Sequence, residues 1–491
     1  MAKGSLPGEE RHDLLRDLSG LASDADLDGA SPLSTFLPLA RHRRALDAEN
    51  LLIRGGRGVG KTALFRFINE ASKHEGLVSR LFPGLDLESV TWVEGFGQST
   101  QHPDKTVLDQ FADESQDDGL RMFWMAHLVC RLFKEGVYTV APPEPLWTRW
   151  REGRSDPAAW TNAARGSLAK LSQWLDGMDE HLRHSDRRVF VSYDYLDQLG
   201  LLSSRIRNRF TASLLALWMS LVGRYRNLRP KIFIREDLFQ AGQEAFPDAS
   251  KLHSRSMSLD WTVEALYRMV LRHMAARSEA MRQWIGATSR RIPLTQDDPL
   301  GWLPPEHLPE SGLPSQKSFI DHLVQEKMGK GVKKGYTYRW IPNRLQDAHV
   351  SIAPRSLLTL LARAAENALQ NPMARYHRLI TPNELVDALA HTSKARVTEL
   401  KEEHPVVARL ENLRGLAVML DPKVVIKKLS QPVTSGANHK IDGFDDDGRR
   451  VLTQLVQLGV LGKRSDGRID VPDIYRYGFD IRRKGGVARP V

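Results

Sequence analysis

The sequence is nearly devoid of cysteine and has no long apolar run, and each lack removes a class of protein. The lone Cys130 excludes an intrachain disulfide framework and a Cys-x-x-Cys zinc site. It lies in an apolar helical stretch, which suits a small buried hydrophobe better than a nucleophile. The longest apolar stretch, residues 214–222, falls far short of the roughly 20 residues that a membrane span needs. Residues 1–16 are charged and contain no apolar core segment, so neither a secretory signal nor a membrane partner is expected. Together these features predict a reducing, cytoplasmic setting. His181 and His184 stand three apart without a third ligand, which argues against a metal site there.

What is present is a chain of 491 residues, 41% hydrophobic and 26% charged, the balance of a globular protein and not of a disordered one. That length exceeds one ordinary core and predicts two to four domains. The net charge of +10 suits nucleic-acid contact and, equally, a site built for an anionic nucleotide. Composition leaves these two readings level.

The most specific signal lies in residues 51–69, LLIRGGRGVGKTALFRFIN. Leu51, Leu52 and Ile53 read as a buried parallel strand, and Ala63, Leu64, Phe67 and Ile68 recur at helical spacing. Between them Gly55, Gly56, Arg57, Gly58, Val59, Gly60, Lys61 and Thr62 fit the P-loop pattern G-x-x-x-x-G-K-[ST], with Ala63 opening the helix. Glycines let the backbone wrap a phosphate, while the loop N–H groups and the helix N-terminus face the anion. Lys61 is expected to neutralise the β- and γ-phosphate oxygens of ATP. The Thr62 hydroxyl is expected to bind Mg²⁺.

Such a site needs an acid at the end of a neighbouring strand. Residues 189–193 form an apolar, β-rich run that ends in Asp194, which is expected to hold the Mg²⁺ with Thr62. Many ATPases place Glu directly after that aspartate, but here the position is Tyr195. Two candidates for the water-activating base remain: Asp197, and Glu94 at the end of the run 90–93. A surface or capping role competes evenly with each. A further strand at 231–234 ends in Arg235, which reads either as a γ-phosphate sensor or as a salt-bridge partner. Arg224, Arg226 and Arg229 precede it, where they complement a helix dipole or act as an arginine finger; the dipole is the simpler account.

Elsewhere, residues 1–45 read as a loosely ordered lead-in, with Phe36, Leu37, Pro38 and Leu39 placed to pack on the nucleotide base. The P-loop domain is expected over 46–277, with a buried helix at 118–135 and a helical insertion at about 140–185. The tryptophans 147, 150, 160 and 174 in that insertion suit helix packing better than single-stranded nucleic acid. A connecting segment and helical lid follow over 278–400. The segment carries Lys327, Lys330, Lys333 and Lys334, and the lid helix opens at Pro354 with Arg355 at its start. Residues 401–491 read as a winged-helix domain and basic tail: a helix at 446–458, then a hairpin about Ser465, Asp466 and Gly467. Lys463, Arg464, Arg468, Arg482, Arg483, Lys484 and Arg489 supply charge for DNA phosphates, although many winged helices bind only protein.

The P-loop at 55–62, Asp194 and Asp197 after a strand, Arg235 with Asp237, the Pro354–Arg355 helix and the terminal helix–hairpin together resemble the AAA+/STAND-type ATPases of bacteria, in particular those encoded in antiphage defence loci. The resemblance implies an α/β fold with an ASCE-type parallel sheet, ATP and Mg²⁺, a homo-oligomer, and control of a protein effector encoded nearby. By the same analogy Arg355 takes the sensor-2 position and Arg235 lies near sensor 1. The usual sensor-1 Asn and the Glu after Asp194 are both missing. The leading expectation is a regulatory ATPase that switches a partner. A DNA-engaged ATPase gripping double-stranded DNA, and a nucleotide-binding scaffold without turnover, are the alternatives. A small-molecule kinase would need neither lid nor winged helix.

Overall fold

The computed structural model describes residues 8–21, 31–153, 156–200, 203–243, 250–287, 292–306, 315–331, 335–371, 378–435, 439–440 and 447–483. These fall into two compact units: Pro38–Gly56 with Lys61–Leu259, and Met1–Leu37 with Arg57–Gly60 and Asp260–Val491.

The first unit is built on a five-stranded, all-parallel sheet. Its strands are β1 (Leu52–Gly55), β2 (Val90–Phe96), β3 (Arg188–Tyr193), β4 (Leu228–Arg235) and β5 (Ser256–Ser258), in spatial order β2-β3-β4-β1-β5. Parallel neighbours need helical crossovers, which cover both faces of the sheet, so its inner strands are buried on both sides. Accordingly every residue of β4 is buried. The order puts β4 between the P-loop strand β1 and the acidic strand β3, the ASCE arrangement expected from the sequence, and the architecture is that of an α/β P-loop NTPase.

The connection between β2 and β3 comprises helices Lys105–Glu114, Asp117–Lys134, Leu146–Glu152, Pro157–Gly166 and Leu168–His184, the last three within the span read from sequence as an insertion. Its tryptophans serve packing, as the sequence suggested: Trp147 stacks on Trp150 at 5.5 Å, and Trp160 is fully buried against Phe123. Cys130 is fully buried in the same core, and burial pushes its thiol pKa upward.

The second unit differs from the expected boundaries in two respects. The N-terminal lead-in is not loose where it is described. Gly8–Ser19 is a helix whose Leu14, Leu15 and Leu18 are buried, and it packs on helix Pro354–Gln370. Leucines at 14, 15 and 18 make one apolar stripe, whose partner lies too far away in sequence to be read locally. Helix Val263–Arg277, assigned from sequence to the P-loop domain, also belongs here. Its fully buried Arg272 donates hydrogen bonds to the carbonyls of Leu33, Phe36, Leu300 and Trp302. Four carbonyls satisfy a guanidinium that would otherwise be costly to bury. Phe36 and Leu37 of this unit, like Leu39 of the sheet unit, are themselves buried in protein interior, which is where their apolar surface goes.

Helix Pro354–Gln370, expected from sequence to be a lid, has Pro in its first turn and lies against helix Pro382–Glu403. Near the C-terminus, helix Pro422–Leu429 and helix Gly448–Gln457 precede an antiparallel pair, Gly462–Lys463 with Ile469–Asp470, while Leu420 bridges to Ile469. The helix-then-hairpin order read from residues 446–471 is therefore present. Lys333, Lys334, Lys484 and Arg489 lie outside the described residues. No helix among the described residues is long and apolar enough to cross a membrane.

Candidate nucleotide site

β1 delivers its last residue, Gly55, into the loop, and the helix Lys61–Ala71 begins at the invariant lysine position of the motif. Gly58 and Gly60 have φ of 78° and 97°, the left-handed region that a side chain resists, so the glycines at these two positions are a backbone requirement. The Lys61 ammonium is buried and donates to the carbonyls of Gly55 at 2.8 Å and Gly56 at 2.9 Å. Those bonds hold the lysine across the mouth of the loop, where an anion would replace them. Residues Arg57–Gly60 group with the second unit. There the Arg355 N–H donates to the Gly58 carbonyl at 3.3 Å, Arg396 donates to the Arg57 carbonyl at 2.9 Å, and Trp261 donates to the Val59 carbonyl at 2.8 Å.

Asp194 follows β3 directly and is 4% exposed. Burial pushes its pKa up to about 7; the Tyr195 N–H opposes this, the Asp197 charge adds to it, and Thr62 and Lys61 oppose it. Its Oδ2 is buried with no hydrogen-bond partner. A buried, unpartnered carboxylate oxygen beside a Thr hydroxyl and a lysine is the donor set of a hard divalent cation next to a polyphosphate. Thr62 and Asp194 therefore fit Mg²⁺. Among the described residues no group of three or more His, Cys, Asp or Glu forms a separate metal cluster.

Tyr195 stands where many ATPases carry glutamate. It is buried, adopts a left-handed φ of 63°, and packs edge-on against Phe65 at 6.1 Å. It is a wall of the site rather than a base.

The two candidate bases are held differently. Asp197 belongs to an ionic cluster. Arg235 reaches its Oδ2 at 3.5 Å, and Arg207 donates to its carbonyl at 3.3 Å. Arg235 is 6% exposed and is forked onto Asp237 at 3.0 and 2.8 Å. Glu94 lies within β2 and pairs in register with Ser192, two residues before Asp194 on the adjacent strand. Neighbours in register on parallel strands share a face, so Glu94 and Ser192 face the same side of the sheet. Ser192 on that side donates to Asn69 of the P-loop helix at 2.8 Å. A Cβ at Gly97 would collide with Glu94 Oε1 and lie 3.3 Å from the Phe65 ring, so the carboxylate neighbours the first turns of that helix. His102 and Arg131, with a hydrogen bond from Ser99, hold the Glu94 carboxyl below its ordinary pKa against the opposing effect of burial.

Structure thus brings Lys61, Thr62 and Asp194 together, with Asp197, Arg235 and Glu94 around them in one unit. Arg355 is in the other unit, where its guanidinium donates to Glu399 at 2.9 Å and Glu399 also accepts from Arg396 at 3.1 Å. Arg57 pairs with Glu402 there. Arg224 pairs with Asp176 at 2.6 Å, and Arg229 donates to the Tyr225 carbonyl just past the helix end, as the dipole reading anticipates. Sequence reasoning missed Arg207, Arg396, Glu399, His102 and His127. None sits in a motif, and only proximity in the fold marks them.

No family model matches the sequence, and no curated protein matches it. Among solved structures, the ORC2 protein of Aeropyrum pernix in its ADPNP–ADP complexes is 13% identical over 89% of this chain and 90% of that one, with a TM-score of 0.41. A Walker-type ATPase of Pyrococcus abyssi is 13% identical over 91% and 99%, with a TM-score of 0.40. The ORC1 protein of Aeropyrum pernix in complex with DNA is 14% identical over 91% and 93%, with a TM-score of 0.30. At such scores the likenesses carry no argument, and the functional reading rests on the site.

Proposed function

We propose that this chain binds ATP with Mg²⁺ at the P-loop, hydrolyses it, and uses the bound state to control association with itself and with a protein effector. The observation that carries the reading is Asp194, whose buried and unpartnered Oδ2 lies beside Thr62 and Lys61 at the mouth of a P-loop. Lys61 would exchange its two loop carbonyls for β- and γ-phosphate oxygens. The loop N–H groups orient the triphosphate, and Thr62 and Asp194 would hold the cation. When bound, Mg²⁺ offsets the charge that builds on the phosphate oxygens.

Glu94 is the base in this reading. Asp197 is committed to the Arg207–Arg235–Asp237 cluster, whereas Glu94 is anionic and shares a sheet face with Ser192, two residues before Asp194. The carboxylate accepts a proton from the attacking water, a role worth about 10²- to 10⁴-fold in rate. Control of an antiphage effector is what the family resemblance suggests.

The test is direct. Lys61→Ala is expected to lose binding of labelled ATP. Glu94→Gln is expected to keep that binding and lose phosphate release by about 100-fold or more. ATP is expected to raise the mass of the native chain in light scattering, and Lys61→Ala to abolish the rise. Unchanged binding in Lys61→Ala would refute the site.

Double-stranded DNA is the second reading. The helix Gly448–Gln457 presents exposed Arg449 and Arg450, and Lys463 of the hairpin is exposed. Against it, Arg468 pairs with Asp466 at 2.6 Å and Arg464 lies 3.7 Å from Asp470, so the hairpin neutralises much of its own charge. Retention on duplex that falls steeply with salt would favour DNA.

A further inference from the structure

We propose that Trp150, His127 and His102 form a one-directional hydrogen-bond relay that fixes the tautomer of both imidazoles and holds Glu94 in place as the base. This rests on the assignment of Glu94 made above.

The relay crosses four segments of the chain. Trp150 lies in the insertion helix Leu146–Glu152, His127 in helix Asp117–Lys134, His102 in the loop after β2, and Glu94 in β2 itself. Trp150 Nε1 is 3.3 Å from His127 Nδ1, His127 Nε2 is 3.1 Å from His102 Nδ1, and His102 Nε2 is 2.9 Å from Glu94 Oε1. An indole N–H only donates. His127 Nδ1 must therefore accept, and its single proton sits on Nε2. That proton faces His102 Nδ1, which must accept in turn and places the His102 proton on Nε2. The proton there points at Glu94. A positive charge on either ring would set two N–H groups against each other, so both imidazoles are neutral. Burial acts in the same direction, lowering the pKa of both, against the Gly95 carbonyl that also accepts from His127 and the Glu94 carboxylate that accepts from His102.

The geometry of the surroundings suits a rigid relay. His127 lies parallel to Phe123 and Trp160, at 5.9 Å from each ring and within 4° of both planes, and those two rings lie 6.1 Å from each other beside it. His102 is 7% exposed and packs on Phe96 at 5.2 Å. Arg131 donates to the Glu94 carbonyl at 3.0 Å and so pins the backbone beneath the carboxylate. Only Glu94, with its side chain 27% exposed, opens outward. The relay thus starts at a donor with no alternative and ends at a carboxylate that is partly open to solvent. Packing alone requires neither the matched donors and acceptors nor their common direction. Trp150, His127 and His102 are positioning residues: they act through Glu94 and touch no substrate.

The full-length chain carries the test, with two independent readouts. In ¹⁵N-histidine NMR of the native protein, His102 and His127 are expected as neutral Nε2–H tautomers. Trp150→Phe keeps the ring and removes the donor. It is expected to mix the His127 tautomers and lower kcat for ATP by about 10- to 100-fold, with KM unchanged. His102→Leu is expected to lose as much, while His102→Gln, whose amide N–H still reaches Glu94, recovers most of the loss. An Nδ1–H tautomer at either histidine in the native protein overturns the relay, even if Trp150→Phe fails to fold. So does an unchanged kcat in Trp150→Phe and His102→Leu when Glu94→Gln is inactive. Full turnover in Glu94→Gln overturns the base assignment instead, and with it the purpose of the relay.

Discussion

Asp194 is the residue on which the chemistry turns, and its burial is an expense of the nucleotide-free protein. A carboxylate oxygen buried without a partner forfeits hydration and gains nothing inside. Asparagine at the same position keeps the shape and the acceptor oxygen and removes the charge. Asp194→Asn is therefore expected to stabilise the nucleotide-free protein by on the order of 1–3 kcal/mol in urea denaturation. The same variant is expected to lose the extra stabilisation that Mg²⁺ adds to ATP, which at 100 times the dissociation constant amounts to about 2.7 kcal/mol for a ligand bound only by the folded state. A destabilised nucleotide-free protein would mean that Asp194 is paid for by contacts other than a cation. Arg235 makes the complementary point. Sequence left it between sensor and salt bridge, and its guanidinium, buried like the Asp194 carboxyl, is satisfied by a fork onto Asp237.

At the scale of elements, the N-terminal helix Gly8–Ser19 yields a prediction that its composition concealed. Arg11, 4% exposed, donates to the carbonyls of Arg378 at 3.0 Å and Leu379 at 2.7 Å, just before the helix that starts at Pro382. Arg11→Met preserves the aliphatic stem and strands both acceptors. It is expected to cost about 1–3 kcal/mol per unsatisfied buried group, read as a lower thermal midpoint, whereas Arg16→Met in the same helix changes little. The contrast shows what kind of structure was legible. The P-loop was, because strand, loop and helix are contiguous and each glycine has a local task. Asp194 was, because an apolar run ending in an acid is a local pattern. The packing of residues 8–19 was not, since the partner of its apolar stripe, residues 354–370, lies far along the chain. The setting of Glu94 was not either: residues 94, 102, 127 and 150 share no period and no motif, and only folding of the insertion onto the edge of β2 lines them up.

Across the whole molecule, buried histidines and buried acids pull stability in opposite directions as pH falls. Burial lowers the pKa of His42 to about 3, with Arg41 adding to it, and that of His273 and His322 to about 4. His42 Nδ1 accepts from the Leu39 N–H at 3.2 Å and so must stay neutral. A histidine whose folded pKa is depressed gives its full stability above the unfolded value near 6.5 and loses it as pH falls toward the folded value, by about 1.4 kcal/mol per pH unit. Acids with raised pKa act the other way, gaining stability as pH falls through the same window. In the second unit Asp321, raised by burial to about 6, and Asp347 and Asp470, also raised by burial, offset His273 and His322. In the sheet unit, His42, His102 and His127 are opposed by Asp194 alone among the shifted aspartates that burial raises. Acid should therefore loosen the sheet unit first. Between pH 7 and 5, limited proteolysis is expected to cut within residues 38–259 before residues 260–483. His42→Asn, which keeps an acceptor for Leu39 but does not titrate, is expected to delay those cuts by reducing the loss by about one proton's slope. Equal resistance of the two units at pH 5, or no effect of His42→Asn, would show that the imbalance of buried titrating groups does not govern acid stability here.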